Sequence, residues 1–504
     1  MASYGHSIDS GIFRKRGTQR RNTRSTKSVF GSSGDEASRR SLSRLDERVL
    51  LVRASLGVTT PLPVAQRGDE FMKAKKILAV STALLIATGL GACGGGGEGE
   101  GGSESSPGGP VAMTFWHNAT TGDGKAYWAA TVADFEAANP NVKITVQAIQ
   151  NEDMDGKLQT ALNSGAPPDL FMARGGGKLA DIVDAEQVMD ITDSIDAASK
   201  AALGEAVLNA FAVEGKVYGM PTSVLPGGMY YSQDLYKKAG ITDTPKTFAE
   251  MNGAVDKLKG AGIEPIALGA KDAWPAAHYY YFFALRNCSK ETMDAAAQEK
   301  SFDDPCWIKA GEDLQAFAET EPFNKGFLTT SAQQGAGSSA GLLANHKASM
   351  ELMGAWEPGV VASLTPDQEP LADLGWFPFP AVDGGQGDPA AMMGGVDGYA
   401  CSAEAPKECP AFLNFYMQKK YQEGYAKAFQ TLPASKEAQT VVTDPALKAI
   451  LESYNSAPYV MLWLDTRFGL SVGNAMNTGV VNMLAGKGDP ASIVQAMNDA
   501  AAKG

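Results

Sequence analysis

The chain has 504 residues, with 57 Asp and Glu against 44 Lys and Arg, a net charge of −13 and 44% hydrophobic residues. That length is enough for more than one domain, and the acidic balance argues against nucleic acid as a partner. The four histidines are isolated, so neither a metal centre nor another cofactor is expected.

The charge is unevenly placed. Residues 1–71 hold 11 of the 14 arginines and carry a net charge of about +6. This Ser- and Arg-rich segment has few large apolar residues, which fits a basic arm or a disordered tail. It precedes an export signal, a feature that ordinarily opens a chain. Our reading is that 1–71 is a mis-called or disordered extension and that Met72 begins the protein.

Residues 72–92 have the three parts of that signal: Lys73, Lys75 and Lys76, an apolar run from Ile77 to Leu90, and small residues before a cut. The apolar run of about 14 residues is short of the roughly 20 that span a bilayer. Leu90-Gly91-Ala92-Cys93 resembles the lipobox of bacterial lipoproteins, in which the cysteine is acylated, by palmitate for example, and becomes the new N-terminus. The resemblance implies lipidation at Cys93 and anchorage on the extracytoplasmic face of the cell membrane. A buried helix ending at a cysteine is the plainer reading, but it leaves the following polyglycine unexplained. The mature chain then has about 410 residues and a charge of about −22. Residues 93–110 form a Gly/Ser/Glu tether with nothing apolar to bury.

The folded body starts at Val111. Val111, Met113 and Phe115 alternate as a strand ending at Trp116-His117-Asn118, and Trp128, Val132, Phe135 and Ala138 share one helix face. Val142, Ile144 and Val146 mark a second strand. Met154, Leu158, Ala161 and Leu162 mark a second helix, and Leu170 to Ala173 a third strand. Alternation of strand and helix at these lengths predicts an α/β fold with a parallel sheet and right-handed crossovers. Ligands in such sheets lie at the carboxyl ends of the strands, here Trp116 to Asn118 and Arg174 to Gly177. Asp169 reads as structural. Tyr279 to Phe283 reads as a buried helix, and Asp489-Pro490 opens a closing helix.

Beyond the first three strands the residues suggest a family. Tyr218-Gly219-Met220-Pro221, followed by Met229-Tyr230-Tyr231-Ser232-Gln233-Asp234-Leu235, resembles a stretch of the extracellular sugar-binding proteins that serve ABC importers. Pro245-Lys246-Thr247-Phe248, Ala348-Ser349-Met350 through Gly354-Ala355-Trp356, and Gly394-Gly395-Val396-Asp397 match further motifs in the same order. Ser232-Gln233 departs from the family's usual Asn-Lys. The resemblance covers about 111–500 and implies a two-lobe periplasmic-binding-protein fold of type II, hinged, with a ligand cleft between lobes. By analogy, lobe one is 111–222 plus 381–430 and lobe two is 223–380 plus 431–504, with Trp376 to Pro380 and Leu432-Pro433 as crossings. The expected partners are a carbohydrate and the importer's membrane permease subunits, and the expected state is a monomer.

Sugars need aromatic platforms for their C–H faces and planar polar groups for their hydroxyls. The candidate platforms are Trp116, Trp274, Trp356 and Trp463, although a tryptophan taken alone is more often core. Asn118, Asp272, Glu357, Asp397, Asp465 and Arg467 are the polar candidates. Arg174 either reaches a sugar hydroxyl or pairs with an acidic neighbour. Numerous aromatics favour a neutral di- or oligosaccharide, with xylo- or cello-oligomers preferred by resemblance. A secreted glycoside hydrolase, which needs two flanking carboxylates, and a membrane-tethered sugar sensor are the competing functions. Besides Cys93 the chain has Cys288, Cys306, Cys401 and Cys409, which allow three connectivities. Sequence proximity favours Cys288–Cys306 and Cys401–Cys409, and metal binding is the rival use.

Overall fold

The computed structural model describes residues 109–120 and 122–503. The signal, Cys93 and most of the tether lie outside the described residues, as does the basic segment. In chain order the strands are β1 (Val111–His117), β2 (Val142–Ala148), β3 (Leu170–Arg174), β4 (Ala212–Val213), β5 (Lys216–Val217) and β6 (Met220–Ser232). They continue as β7 (Glu264–Ile266), β8 (Ala348–Gly354), β9 (Leu374–Phe377), β10 (Met392–Cys401) and β11 (Val460–Leu462).

The first three strands form where they are predicted, but Val146 is exposed, so the inward alternation of β2 stops at Ile144. Met113 and Phe115 of β1 point inward while Ala112 and Thr114 are exposed. β1 runs parallel to both β2 and β3, and α1 (Gly122–Ala138) buries Trp128, Val132 and Phe135 against them. α2 (Asn151–Asn163) buries Met154, Leu158 and Leu162. Asp169 is structural: its carboxylate accepts from the backbone N–H of Thr114 at 2.7 Å and from its hydroxyl at 2.9 Å.

β6 and β10 join two halves of the molecule. The strand order is β2-β1-β3-β10-β6-β8-β7, with β9 on β6 and β11 on β10. β6 pairs with β10 over Met220 to Pro226, then with β8 and β9 from Gly227 onward. β10 starts beside β11 and ends beside β3. One apolar cluster gathers Phe115, Trp128, Phe171, Phe412 and Tyr416. The other gathers Tyr280, Phe283, Trp307, Phe379, Met476 and Ile493. The second is built around helix Trp274–Asn287, in which every residue after Trp274 is buried. Tyr279 to Phe283 thus lie inside, as expected.

The second crossing falls later than the Pro-rich stretch suggests. Phe379 and Ala391 still pack in the second cluster, and only from Met392 does the chain also reach the first, so residues 381–391 do not sit with lobe one. Arg286 holds them there. Its buried guanidinium donates to the carbonyl oxygens of Phe379 at 2.9 Å and Ala391 at 3.0 Å. The chain changes sides within β10 instead.

Both short-range cysteine pairs are bonded. Cys288–Cys306, Cα–Cα 5.1 Å, ties the end of helix Trp274–Asn287 to the start of helix Pro305–Glu319. Cys401–Cys409, Cα–Cα 6.0 Å, ties β10 to helix Glu408–Tyr416.

Candidate functional site

A cleft of about 870 Å³ opens where the two halves face each other. It brings together eight candidates: Asn118, Arg174 and Asp397 from one side, and Asp272, Trp274, Trp356, Trp463 and Asp465 from the other. Three candidates lie elsewhere. Trp116 lines a second, open groove along α2 and not the cleft itself, although the two share Glu152, Gly156 and Thr160. Glu357 is fully buried. The Arg467 guanidinium donates to Asp294 at 2.6 Å and is committed to that pair.

Three tryptophans make the apolar wall. The Trp356 ring centroid lies 6.0 Å from that of Trp274 and 6.1 Å from that of Trp463, with the rings steeply inclined. His278 stacks on Trp463 at 4.2 Å and 8°. Burial lowers the His278 imidazole to about 4, with Asp465 opposing the shift, so the ring is neutral at pH 7. Sequence reasoning missed it because it directly precedes the aromatic run 279–283, which reads as a buried helix. Its one signal was a position four residues beyond Trp274, on the same helix face.

Backbone geometry aims these rings. Ala273 has φ 62° and ψ −51°, a strained conformation for a residue with a Cβ. Pro275 follows at the first turn of the helix, and the Asp272 carboxylate accepts from the Ala332 N–H at 2.7 Å. Asp272 therefore pins the turn that presents Trp274. Trp463 lies across the two joining strands. A Cβ added at Gly227 would come within 2.3 Å of its ring, and one at Gly395 within 2.9 Å, so only glycine admits the ring there.

The polar wall is a charge network. Arg174 donates to Asp155 at 2.8 Å and to the Asn151 side chain at 2.7 Å. Lys178, at the start of α3 (Gly177–Asp184), donates to Asp155 at 3.1 Å and to Asp465 at 3.0 Å. Burial opposes ionisation of Asp155, but Arg174 and Lys178 outweigh it and hold the carboxyl at about 2. Asp397 differs. Burial raises its pKa, only partly offset by Arg174, and among the described residues no side chain or backbone N–H donates to its carboxylate. Its carboxylate faces the cleft without a partner of its own. Asp155 and Lys178 escape a sequence reading because nothing local links them to each other or to Asp465.

Behind Trp356, Glu351 and Glu357 are both essentially inaccessible to solvent, and none of their four carboxyl oxygens has a hydrogen-bond partner. Burial pushes both carboxyls upward, so the pair is protonated at neutral pH. They do not line the cleft and are not placed to act as an acid and base on a ligand in it. Among the described residues no group of three or more His, Cys, Asp or Glu is arranged to hold a metal.

The model of a family described as bacterial extracellular solute-binding protein matches residues 118–439. The chain belongs to that family. The location that goes with this family is extracytoplasmic. The solute-binding protein is 28% identical over 386 residues to the diacetylchitobiose binding protein of Streptomyces coelicolor, covering 73% of this chain and 83% of that one. It is 24% identical over 353 residues to an uncharacterized ABC transporter extracellular-binding protein of Pyrococcus horikoshii, covering 68% and 76%. Among solved structures, one from work on xylan utilization by Caldanaerobius polysaccharolyticus superposes with a TM-score of 0.71 at 25% identity, covering 77% of this chain and 99% of that chain. A chitin oligosaccharide binding protein also gives 0.71, at 24% identity, covering 78% and 98%. The solute-binding protein thus has the two-lobe α/β fold of these receptors.

Proposed function

We propose that this protein captures a neutral di- or oligosaccharide outside the cytoplasm and delivers it to the permease subunits of an ABC importer, without chemical change. The observation that carries the reading is the pairing of a three-tryptophan wall with a hydrogen-bonding charge network across one cleft. Indole faces accept the C–H surface of pyranose rings, while Asp397 and the Arg174 network meet hydroxyls. The cleft has room for more than one sugar ring. A sugar touching both lobes binds the closed form better than the open one, and that difference drives closure. The names of the relatives support the class: one binds diacetylchitobiose, and another comes from work on xylan utilization. Xylo- or cello-oligomers remain our preferred ligands. Lipidation at Cys93 would hold the monomeric receptor at the membrane.

A thermal-shift panel of xylo-, cello-, chito- and manno-oligosaccharides tests the reading, with at least one series raising the melting temperature. No shift with any sugar would overturn it. New reducing ends released from the bound sugar would point to a glycoside hydrolase instead. Intact mass of the membrane fraction tests the anchor: an acylated N-terminal Cys93 is expected, and any peptide from 1–71 in the mature protein counts against it.

A further inference from the structure

The groove that holds Trp116 is not isolated from the cleft. It is open, about 530 Å³, and lies against α2. Glu152, Gly156 and Thr160 line both the groove and the cleft. At a spacing of four they form one ridge along the helix, so the two spaces meet over it. Trp116 stands half-exposed at the carboxyl end of β1, on the outer side of that ridge.

Gly156 is the lowest point of the ridge. Glycine inside a helix is unfavourable for the fold, and packing does not require it here, because a Cβ added at Gly156 would meet nothing within 4 Å. Fold stability alone would favour a larger residue. The space above Gly156 is what its missing side chain leaves open. One helical turn before it, Gln334 from the other side of the cleft donates to Glu152 at 3.1 Å. The other oxygen of that carboxylate is shielded from solvent with no donor. Among the described residues no hydrogen bond from the far side reaches Gly156 or Thr160. The rim is bridged at Glu152 and open beside it.

We propose that the passage over Gly156 and the Trp116 groove form an outer subsite for an oligosaccharide too long for the cleft, with Trp116 stacking on a sugar ring outside it. This rests on the carbohydrate reading above and adds chain length to it. A half-exposed indole with the hydroxyls of Thr160 and Ser164, small residues, and Glu152, Asp153 and Lys157 around it offers a pyranose both a stacking face and hydrogen-bonding groups. The cleft then binds one end of the chain and leaves the other to run out along α2.

The test is calorimetric titration of the wild type, Trp116→Ala and Gly156→Leu with xylobiose, xylohexaose, cellobiose and cellohexaose. In the series that binds, the wild type should prefer the hexamer by roughly tenfold, the size of a good aromatic contact. Trp116→Ala should erase that preference while binding the dimer as the wild type does. Gly156→Leu should weaken hexamer binding with a melting temperature no lower than wild type, since leucine is the better helix former. Equal wild-type affinity for dimer and hexamer would overturn the subsite. So would a hexamer preference that survives both substitutions, or a Trp116→Ala loss shared equally by dimer and hexamer. Absence of binding by all four sugars would instead overturn our preferred ligand class, and the outer subsite with it.

Discussion

Replacing both members of the buried carboxyl pair, Glu351→Gln with Glu357→Gln, should change how stability depends on pH. Burial pushes Glu351 up to about 8 from an ordinary 4.5 and raises Glu357 well above the same value. The folded state therefore holds protons that the unfolded chain has already released above pH 4.5. Stability contributed by such groups is complete below the unfolded value and is lost as the pH rises through the folded one. Between pH 6.5 and 8, each retained proton costs about 2 kcal/mol of stability, at about 1.4 kcal/mol per pH unit. The wild type should lose about 2 kcal/mol over that interval through Glu351, and Glu357, shifted in the same direction, adds to the loss. His117 and His278, both lowered to about 4 chiefly by burial, act in the opposite sense at lower pH. They are present in both proteins and cancel in the comparison. Urea titrations at pH 6.5 and 8 measure the difference. The double variant should be nearly flat where the wild type falls. Parallel losses in the two proteins would show that the pair is not protonated in the fold, and the reasoning would fail.

Trp356→Ala should weaken sugar binding by about 1–3 kcal/mol; a fall in melting temperature with unchanged affinity would return the residue to the core. Ala273→Gly should relieve the turn's strain, so that stability is kept or gained while affinity falls as Trp274 loses its fixed aim. Lower stability with wild-type affinity would count against a strained, aiming turn. Lys178→Met removes the cation that Asp155 and Asp465 share across the cleft, and X-ray scattering of the ligand-free protein should show a larger radius of gyration. An unchanged radius would remove the pair from any part in closure. Removing Cys288–Cys306, with a separation of 18 residues, should cost about 3 kcal/mol in the chain-entropy model. A denaturant midpoint equal to wild type would show that it adds nothing.

Much of the cleft is legible because its tryptophans sit in short, unusual contexts. Trp274 stands between a polar turn and a proline, Trp356 lies two residues past the glycine that ends a strand, and Trp463 leads a Leu-Asp-Thr-Arg turn. Each context signals a strand or helix end, where side chains meet clefts. Adjacency to such a tryptophan is a weaker guide. Glu357 follows Trp356 but begins a helix, and one step along a helix rotates a side chain by about 100°. The ring reaches the cleft while the carboxyl turns inward to Glu351. Arg467 looks functional because arginine is rare in this chain, yet its charge is met by Asp294. His278, Asp155 and Lys178 cannot be read locally, since what makes them part of the site is a partner far along the chain. The prolines of Trp376 to Pro380 suggest a crossing, whereas Arg286, about 90 residues earlier in the chain, decides where that segment packs.

The two disulfides also bear on how the chain oxidises. Their partners are 18 and 8 residues apart, whereas every crossed pairing would close a loop of roughly 100 residues, and each doubling of a loop costs about 0.6 kcal/mol. In an unfolded, reduced chain the native partners therefore meet roughly ten times (Cys288–Cys306) to forty times (Cys401–Cys409) more often than wrong ones, with no folded contacts needed to guide them. Correct pairing is favoured by proximity alone, so oxidative refolding from the fully reduced state should proceed with few scrambled species and little dependence on a disulfide isomerase.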